Sequence, residues 1–72
     1  MKEKLTNRRL SSLEVTGKEY EIHDTVVPGL FVRVTAAGAK SFVVTWARGR
    51  KKALGHVSVL TLDQARQEAL QY

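Results

Sequence analysis

The sequence predicts an α+β domain in which a three- to four-stranded antiparallel β-sheet packs on one C-terminal α-helix. Apolar and polar residues alternate over 30–35 and again over 41–47, and a turn of small residues around Gly38 separates the two stretches. A helix-capping sequence follows at 61–64, and Leu and Ala recur after it at helical spacing. A chain of 72 residues is expected to form one small domain with a modest core.

The N-terminal part of the chain contains the weaker structural signals. Thr6 is placed to cap a short helical turn that carries Leu10 and Leu13 on one side. Residues 16–18 form a loop, and the alternation after it predicts a short strand from about residue 19 to residue 24.

The central part of the chain predicts three strands in an antiparallel meander. The first strand covers 30–35, the second covers 41–47, and the third covers 51–54 after a tight connection at 48–50. Gly55 is expected to end the sheet.

The alternation also assigns the two faces of this sheet. The face packed on the helix is expected to contain Leu30, Val32, Val34, Phe42, Val44, Trp46 and Leu54. The other side, the open face, is expected to present Phe31, Arg33, Thr35, Val43, Thr45, Ala47, Lys51 and Ala53. Phe42 and Trp46 are therefore interpreted as core residues, whereas Phe31 is expected to be exposed beside Arg33.

The C-terminal segment predicts the helix. Thr61 and Gln64 have the spacing of a capping box, and Asp63 lies where the helix dipole favours a negative charge. An apolar stripe follows, made of Leu62, Ala65, Ala69 and Leu70. The helical pattern continues to the last residues, so we expect 1–72 to be a single domain at the N-terminus of a longer parent chain.

Positive charge is concentrated in the predicted sheet. The chain has a formal net charge of +5, and the segment from Thr25 to Leu62 has no Asp or Glu. That segment carries six cations: Arg33, Lys40, Arg48, Arg50, Lys51 and Lys52. The basic and acidic residues before and after it almost cancel. A positive, acid-free sheet is typical of a surface that attracts a phosphate backbone.

Catalytic and metal-binding functions find no support in the residues. The chain has no cysteine, and neither His23 nor His56 has a second ligand at metal spacing. Asp24 is expected to face away from His23, because neighbours in a strand point to opposite sides. No glycine pattern matches a phosphate loop, and no apolar run reaches the roughly 18 residues that a membrane helix needs. We expect no enzyme active site, no metal, no cofactor and no membrane partner.

The basic segment instead predicts binding to double-stranded DNA. Cations on the turns are placed to hold phosphates, and Arg33 is suited to a bidentate contact with guanine. Small neutral side chains on the open face are suited to contact thymine methyl groups. The predicted DNA-binding residues are Arg33, Thr35, Lys40, Val43, Thr45, Arg48, Arg50, Lys51 and Lys52.

Two alternatives to duplex binding remain open. A protein-interaction module would use the edge or the face of the sheet to contact another subunit. Binding to single-stranded RNA is less favoured, because buried aromatic side chains offer no platform on which bases stack.

A set of short motifs, in a fixed order, covers residues 5–70. The motifs are Leu5-Thr6, Asp24-Thr25, Pro28-Gly29-Leu30, Arg33-Val34, Gly38-Ala39-Lys40-Ser41-Phe42, Leu54-Gly55 and Leu62-Asp63-Gln64-Ala65-Arg66. In this order and spacing they resemble the N-terminal arm-type DNA-binding domain of phage and genomic-island integrases, which belong to the tyrosine recombinase family.

The resemblance implies a sheet of three or four antiparallel strands on one helix, with the sheet in the major groove of attachment-site arms. It implies a role in DNA integration and excision, in the cytoplasm of a bacterial host, with other integrase subunits as possible partners. Strand exchange in that family belongs to a separate C-terminal domain. For Arg66, an ion pair within the domain is favoured over contact with DNA.

Overall fold

The computed structural model describes residues 2–47 and 49–71, and it confirms the α+β class. In chain order the elements are β1 (Lys2–Glu3), α1 (Asn7–Ser11), β2 (Tyr20–Asp24), β3 (Leu30–Val34), β4 (Lys40–Ala47), β5 (Arg50–His56) and α2 (Leu62–Ala69). The strands form one five-stranded sheet in the order β1-β2-β3-β4-β5. β1 runs parallel to β2, and the other neighbouring strands are antiparallel. The prediction of three to four antiparallel strands and one helix was therefore incomplete.

The additional strand, β1, lies at one edge of the sheet. Lys2 lies opposite His23 and Glu3 lies opposite Asp24, and the Thr25 N–H donates to the Glu3 carbonyl at 3.1 Å. A strand of two residues is too short to show alternation, so its sequence gave no sign of it.

The helical turn predicted near residue 6 is present as α1. The Thr6 hydroxyl accepts a hydrogen bond from the Arg9 N–H at 3.0 Å, as expected of a capping residue. Leu13 is buried and Leu10 packs against the same core, so α1 lies on the same side of the sheet as α2.

The meander of β3, β4 and β5 follows the predicted order, but β5 is longer than predicted. Gly55 pairs with Phe42 and His56 pairs with Ser41, so the prediction that Gly55 ends the sheet was wrong. The register shifts between Phe42 and Val43, where β5 takes up the extra residue Leu54. A bulge of this kind lets a strand continue beyond the point where simple alternation fails.

One apolar core lies between the sheet and the two helices. Its buried members are Leu5, Leu13, Ile22, Val27, Leu30, Val32, Val34, Phe42, Val44, Leu62, Ala65 and Ala69. The capping box of α2 is present as predicted, because Thr61 and Gln64 exchange hydrogen bonds at 3.0 and 3.2 Å. The cap sets the start of α2. The buried residues Ala65 and Ala69 of this helix are small and allow it to lie close to the sheet.

Two residues assigned to the core by alternation are exposed instead. Trp46 is 43% exposed and Leu70 is 70% exposed, while Leu54 is half-buried and packs against the core. Trp46 lies two residues beyond Val44, which pairs with the first residue of β3. The register with β5 also shifts beside it, since Thr45 pairs with Lys51 while Ala47 pairs with the adjacent Arg50. Leu70 follows the last residue of α2, where the apolar stripe no longer faces the sheet.

An ion pair joins α2 to the sheet beneath it. Arg66 Nε donates to Asp24 Oδ2 at 3.0 Å, and Arg66 Nη2 donates to the Leu5 carbonyl at 2.7 Å. The internal role predicted for Arg66 is thus confirmed. Burial alone would raise the pKa of Asp24, but hydrogen bonds from Arg66 and from the N–H groups of Leu5 and Val26 outweigh it. The pKa of Asp24 therefore lies below its ordinary value of 3.8.

Candidate nucleic-acid interface

The open face is the side of the sheet opposite the helices, and its residues form cross-strand rows. One row runs across four strands: His23, Phe31, Val43 and Ala53. The next row contains Glu21, Arg33, Ser41 and His56, and a shorter row contains Thr45 and Lys51. Residues that pair directly in antiparallel strands point to the same side, so each row is a continuous strip of surface. The rows show that β2 contributes to this face as well as β3, β4 and β5.

Phe31 lies at the centre of the open face but is covered by its neighbours. The His23 ring stacks on it with centroids 4.7 Å apart, and the charged ends of Arg33 and Lys51 each lie 5.8 Å from its centroid. Phe31 is 1% exposed and Val43 is 3% exposed, so the prediction that both are surface residues was wrong. The long side chains of neighbouring rows bury these residues from above. Phe31 acts as an apolar support on which two cations rest.

Two carboxylates lie beside Arg33, although the sequence segment that contains it, from Thr25 to Leu62, has no Asp or Glu. Arg33 Nη2 lies 3.6 Å from Glu21 Oε2, and Arg33 Nε lies 3.8 Å from Glu19 Oε1. Glu21 also lies near His23, with 3.5 Å between Oε1 and Nε2. The pairing of β2 with β3 places Glu21 directly opposite Arg33. The sequence contained this signal, because alternation in β2 puts Glu21 and His23 on one face, but charge along the chain alone did not reveal it.

The β4–β5 end of the open face has a different charge balance. Arg50 and Lys51 are exposed there, next to the turn at Gly49, whose φ of 74° suits glycine. Among the described residues, no carboxylate lies within ion-pair distance of either side chain. Lys51 pairs with Thr45, so its ammonium projects over the face toward Phe31. Arg50 and Lys51 thus differ from Arg33, which has two carboxylates within 4 Å.

The structure separates the nine predicted DNA-binding residues. The strand register puts Arg33, Val43, Thr45 and Lys51 on the open face, and Arg50 lies at its rim. The Thr35 hydroxyl accepts a hydrogen bond from the Ala39 N–H at 3.0 Å and fixes the β3–β4 turn.

Two of the predicted cations point to the other side of the sheet. Lys40 pairs with Val34 and Lys52 pairs with Val44, and both valines belong to the core. Lys40 also lies at the opposite end of β4 from the β4–β5 turn. The register therefore does not bring Lys40 or Lys52 together with Lys51. Arg48, also predicted to bind DNA, lies outside the described residues.

A family model described as the arm DNA-binding domain matches residues 5–72. The chain belongs to the arm DNA-binding domain family. This family match agrees with the resemblance to the arm-type DNA-binding domain of integrases, and it supports DNA binding and a role connected with recombination. No curated protein matches the chain.

As a DNA-binding module, the arm DNA-binding domain is not the catalytic part of an integrase-like protein. Within residues 2–47 and 49–71, no group of three His, Cys, Asp or Glu side chains is arranged to hold a metal ion. Asp24 is paired with Arg66 on the helix side, while His23 stacks on Phe31 on the open face, so these neighbours in sequence are apart in the fold. None of the helices described is long and apolar enough to span a bilayer.

Proposed function

We propose that this arm DNA-binding domain binds duplex DNA at integrase arm-type sites by placing its open face in the major groove. The observation that carries the proposal is the arrangement of Arg33 and Lys51 over Phe31, among small side chains and on the side away from both helices. The small members of the face are Ser41, Thr45 and Ala53. Because these side chains are short, Arg33 and Lys51 are the groups that extend farthest from the open face.

The dimensions of the sheet fit this mode of binding. Neighbouring strands lie about 4.8 Å apart, and the major groove is about 12 Å wide. Two or three strands therefore fill the groove, and β3, β4 and β5 carry the relevant side chains. Lys51 and Arg50 lie at one end of these strands, where they are placed to meet phosphates at the groove wall. Arg33 is the fourth of the five residues of β3, in the row on the other side of Phe31 from Lys51, and its guanidinium is suited to a base edge.

The wider biological setting forms part of the same proposal. Binding at the arms of an attachment site would help to assemble an integrase for DNA integration and excision. The parent protein would then be a tyrosine recombinase of a phage or genomic island, acting in the cytoplasm of a bacterial host and with other integrase subunits. The family match supports this setting through its link with integrase-like proteins.

Fluorescence anisotropy with a labelled duplex over a series of salt concentrations tests the proposal. For about three to five phosphate contacts, log K against log salt should have a slope of about −3 to −5. A slope near zero, or a failure to bind any duplex, would contradict it.

The alternative of a protein-interaction module finds less support in the structure. β5 is an edge strand, but three consecutive cations begin it: Arg50, Lys51 and Lys52. Charged side chains on an edge oppose the addition of another strand. Sedimentation of the isolated domain separates the two functions, because a tight dimer without DNA would favour the interaction module.

A further inference from the structure

We propose that Glu21 is a specificity determinant of this domain, because it holds the Arg33 guanidinium over the open face and keeps it from binding phosphates indiscriminately. The inference rests on the proposed function, since it concerns how the same face distinguishes one duplex from another. It assigns to an acidic residue a part in DNA recognition that a search for cations overlooks.

The Glu21 carboxylate is placed to hold the Arg33 guanidinium. Glu21 lies directly across from Arg33 on β2, and its Oε2 is 3.6 Å from Arg33 Nη2. The Arg33 Cζ atom lies 5.8 Å from the centroid of the Phe31 ring, so the guanidinium has a carboxylate beside it and an aromatic ring beneath it. Two contacts from two strands restrict the rotamers of a side chain that is otherwise among the most flexible.

The ion pairs of Arg33 leave its hydrogen-bond donors without a close acceptor among the described residues. The distances to Glu21 and Glu19, 3.6 and 3.8 Å, exceed those of a hydrogen bond. Arg33 Nε is buried and donates no hydrogen bond to any residue that the structure describes. A buried donor of this kind is uncommon in a folded protein. Because Nε is buried, a ligand would meet the exposed part of the Arg33 side chain, which is 33% accessible, and a guanine edge with two adjacent acceptors suits a guanidinium.

The carboxylates also change the charge at Arg33. Glu21 and Glu19 offset the charge of Arg33, so this residue attracts a phosphate less than Lys51 does, which has no carboxylate nearby among the described residues. Phosphate contacts carry no sequence information, whereas base contacts do. The Glu21 carboxylate would lower the attraction of Arg33 for phosphates and keep its guanidinium oriented toward the bases. Both effects increase the difference in affinity between a matching duplex and other duplexes.

Glu21→Gln is the variant that tests this role, because it removes the charge with little change in shape. Two probes are needed: a duplex selected by the wild-type domain from a randomised pool, and a mixed-sequence duplex. With Arg33 released toward phosphates, binding to the mixed duplex should tighten about threefold to tenfold, and its salt slope should steepen by about 0.9. The preference for the selected duplex over the mixed one should fall about tenfold, because the bidentate base contact is less well oriented.

Glu68→Gln is the matched control, because Glu68 is an exposed acid on α2 and its replacement changes the net charge equally. Glu19→Gln is a second variant on the open face. Its effect should have the same sign as that of Glu21→Gln but be smaller, since Glu19 is 61% exposed and lies farther from Arg33. In an Arg33→Gln background, Glu21→Gln should change binding no more than the control does, because the residue through which it acts is gone.

Three results would overturn the inference. The first is an effect of Glu21→Gln on the mixed duplex equal to that of Glu68→Gln. The second is an unchanged preference for the selected duplex, and the third is the same effect of Glu21→Gln with and without Arg33. A wild-type domain that binds duplex with no dependence on salt would instead refute the proposed function, so the two failures are distinguishable. Thermal melts of each variant confirm that folded proteins are compared.

Discussion

Each face of the sheet has an arginine beside carboxylates, and the two pairs differ in how tightly they are bound. On the helix side, Arg66 lies 3.0 Å from Asp24, whose side chain is fully buried, and further hydrogen bonds reach the backbone at Leu5. On the open face, Arg33 lies 3.6 Å from Glu21, and both side chains are about one-third exposed. Arg66 donates hydrogen bonds to Asp24 and to the Leu5 carbonyl, whereas Arg33 lies near Glu19 and Glu21 at distances longer than a hydrogen bond.

This difference separates a structural ion pair from a side chain available to a ligand. Asp24 and Arg66 join β2, α2 and the segment at Leu5 that follows β1, so breaking this pair should affect folding. The contacts of Arg33 are long and partly exposed, and ion pairs of that kind contribute little to stability. We therefore expect substitutions of the two arginines to affect different properties of the domain.

The largest expected effect is that of Arg66→Ala on stability. The variant leaves the Asp24 carboxylate buried without its partner, which costs about 3 kcal/mol in similar cases. A domain of this size has a stability of only about 3–5 kcal/mol, so about 0–2 kcal/mol would remain and the urea midpoint should fall by more than half. Urea denaturation followed by circular dichroism measures the loss. A midpoint close to that of the wild type would show that the pair on the helix side is not structural.

Arg33→Ala should affect DNA preference more than folding. Loss of a bidentate base contact should reduce the preference for a selected duplex by about 1–3 kcal/mol, while binding to mixed duplex changes little. The urea midpoint should stay close to that of the wild type. Competition binding with the two duplexes provides the test, and an equal loss for both would assign Arg33 to phosphate contact instead.

Lys51→Ala should weaken binding to all duplexes alike, by about threefold to tenfold, and reduce the magnitude of the salt slope by about 0.9. The reason is that no described carboxylate offsets this cation, and a single ammonium on a flexible stem suits a phosphate better than a base edge. Anisotropy at several salt concentrations measures the slope. A loss confined to the selected duplex would contradict the assignment, and Lys40→Ala, at the other end of β4, is the matched control.

The smallest expected effect is a dependence of stability on acid pH that comes from Asp24. Its pKa in the folded domain lies below the ordinary value of 3.8, so the folded state binds fewer protons than the unfolded state in that range. The resulting stabilisation is present above about pH 4 and is lost as the pH falls through the folded pKa. Urea midpoints measured between neutral pH and pH 2 would show this loss. Asp24→Asn should show a shallower decline over the same range, and an equal decline would refute the assignment.

Sequence patterns predicted the strands whose residues alternate and the helices that have capping residues. They failed where tertiary contacts determine the structure. The strands around Leu30 and Phe42 and the capping box at Thr61 were recognisable because period and capping are local properties. β1 was not recognisable, because two residues have no period. The exposure of Trp46 depends on where β3 begins beside β4 and on how β4 pairs with β5, and neither can be read from β4 alone.

The candidate site was predicted to a similar degree. Lys51 and Arg33 were assigned to the correct face because alternation is reliable within a regular strand. Lys52 was included because it is basic, although its alternation with Lys51 already placed it on the other side. Charge along the chain did not indicate Glu21, because only the pairing of β2 with β3 brings it beside Arg33.

The most direct test of the account is a map of the amide NMR signals that change when duplex DNA is added to the domain. Binding by the open face predicts large shifts along β3, β4 and the start of β5, including Arg33 and Lys51, with small shifts along α2. Shifts concentrated on α2, with β3 and β4 unchanged, would contradict it, because the helix side of the domain would then be the surface that meets DNA.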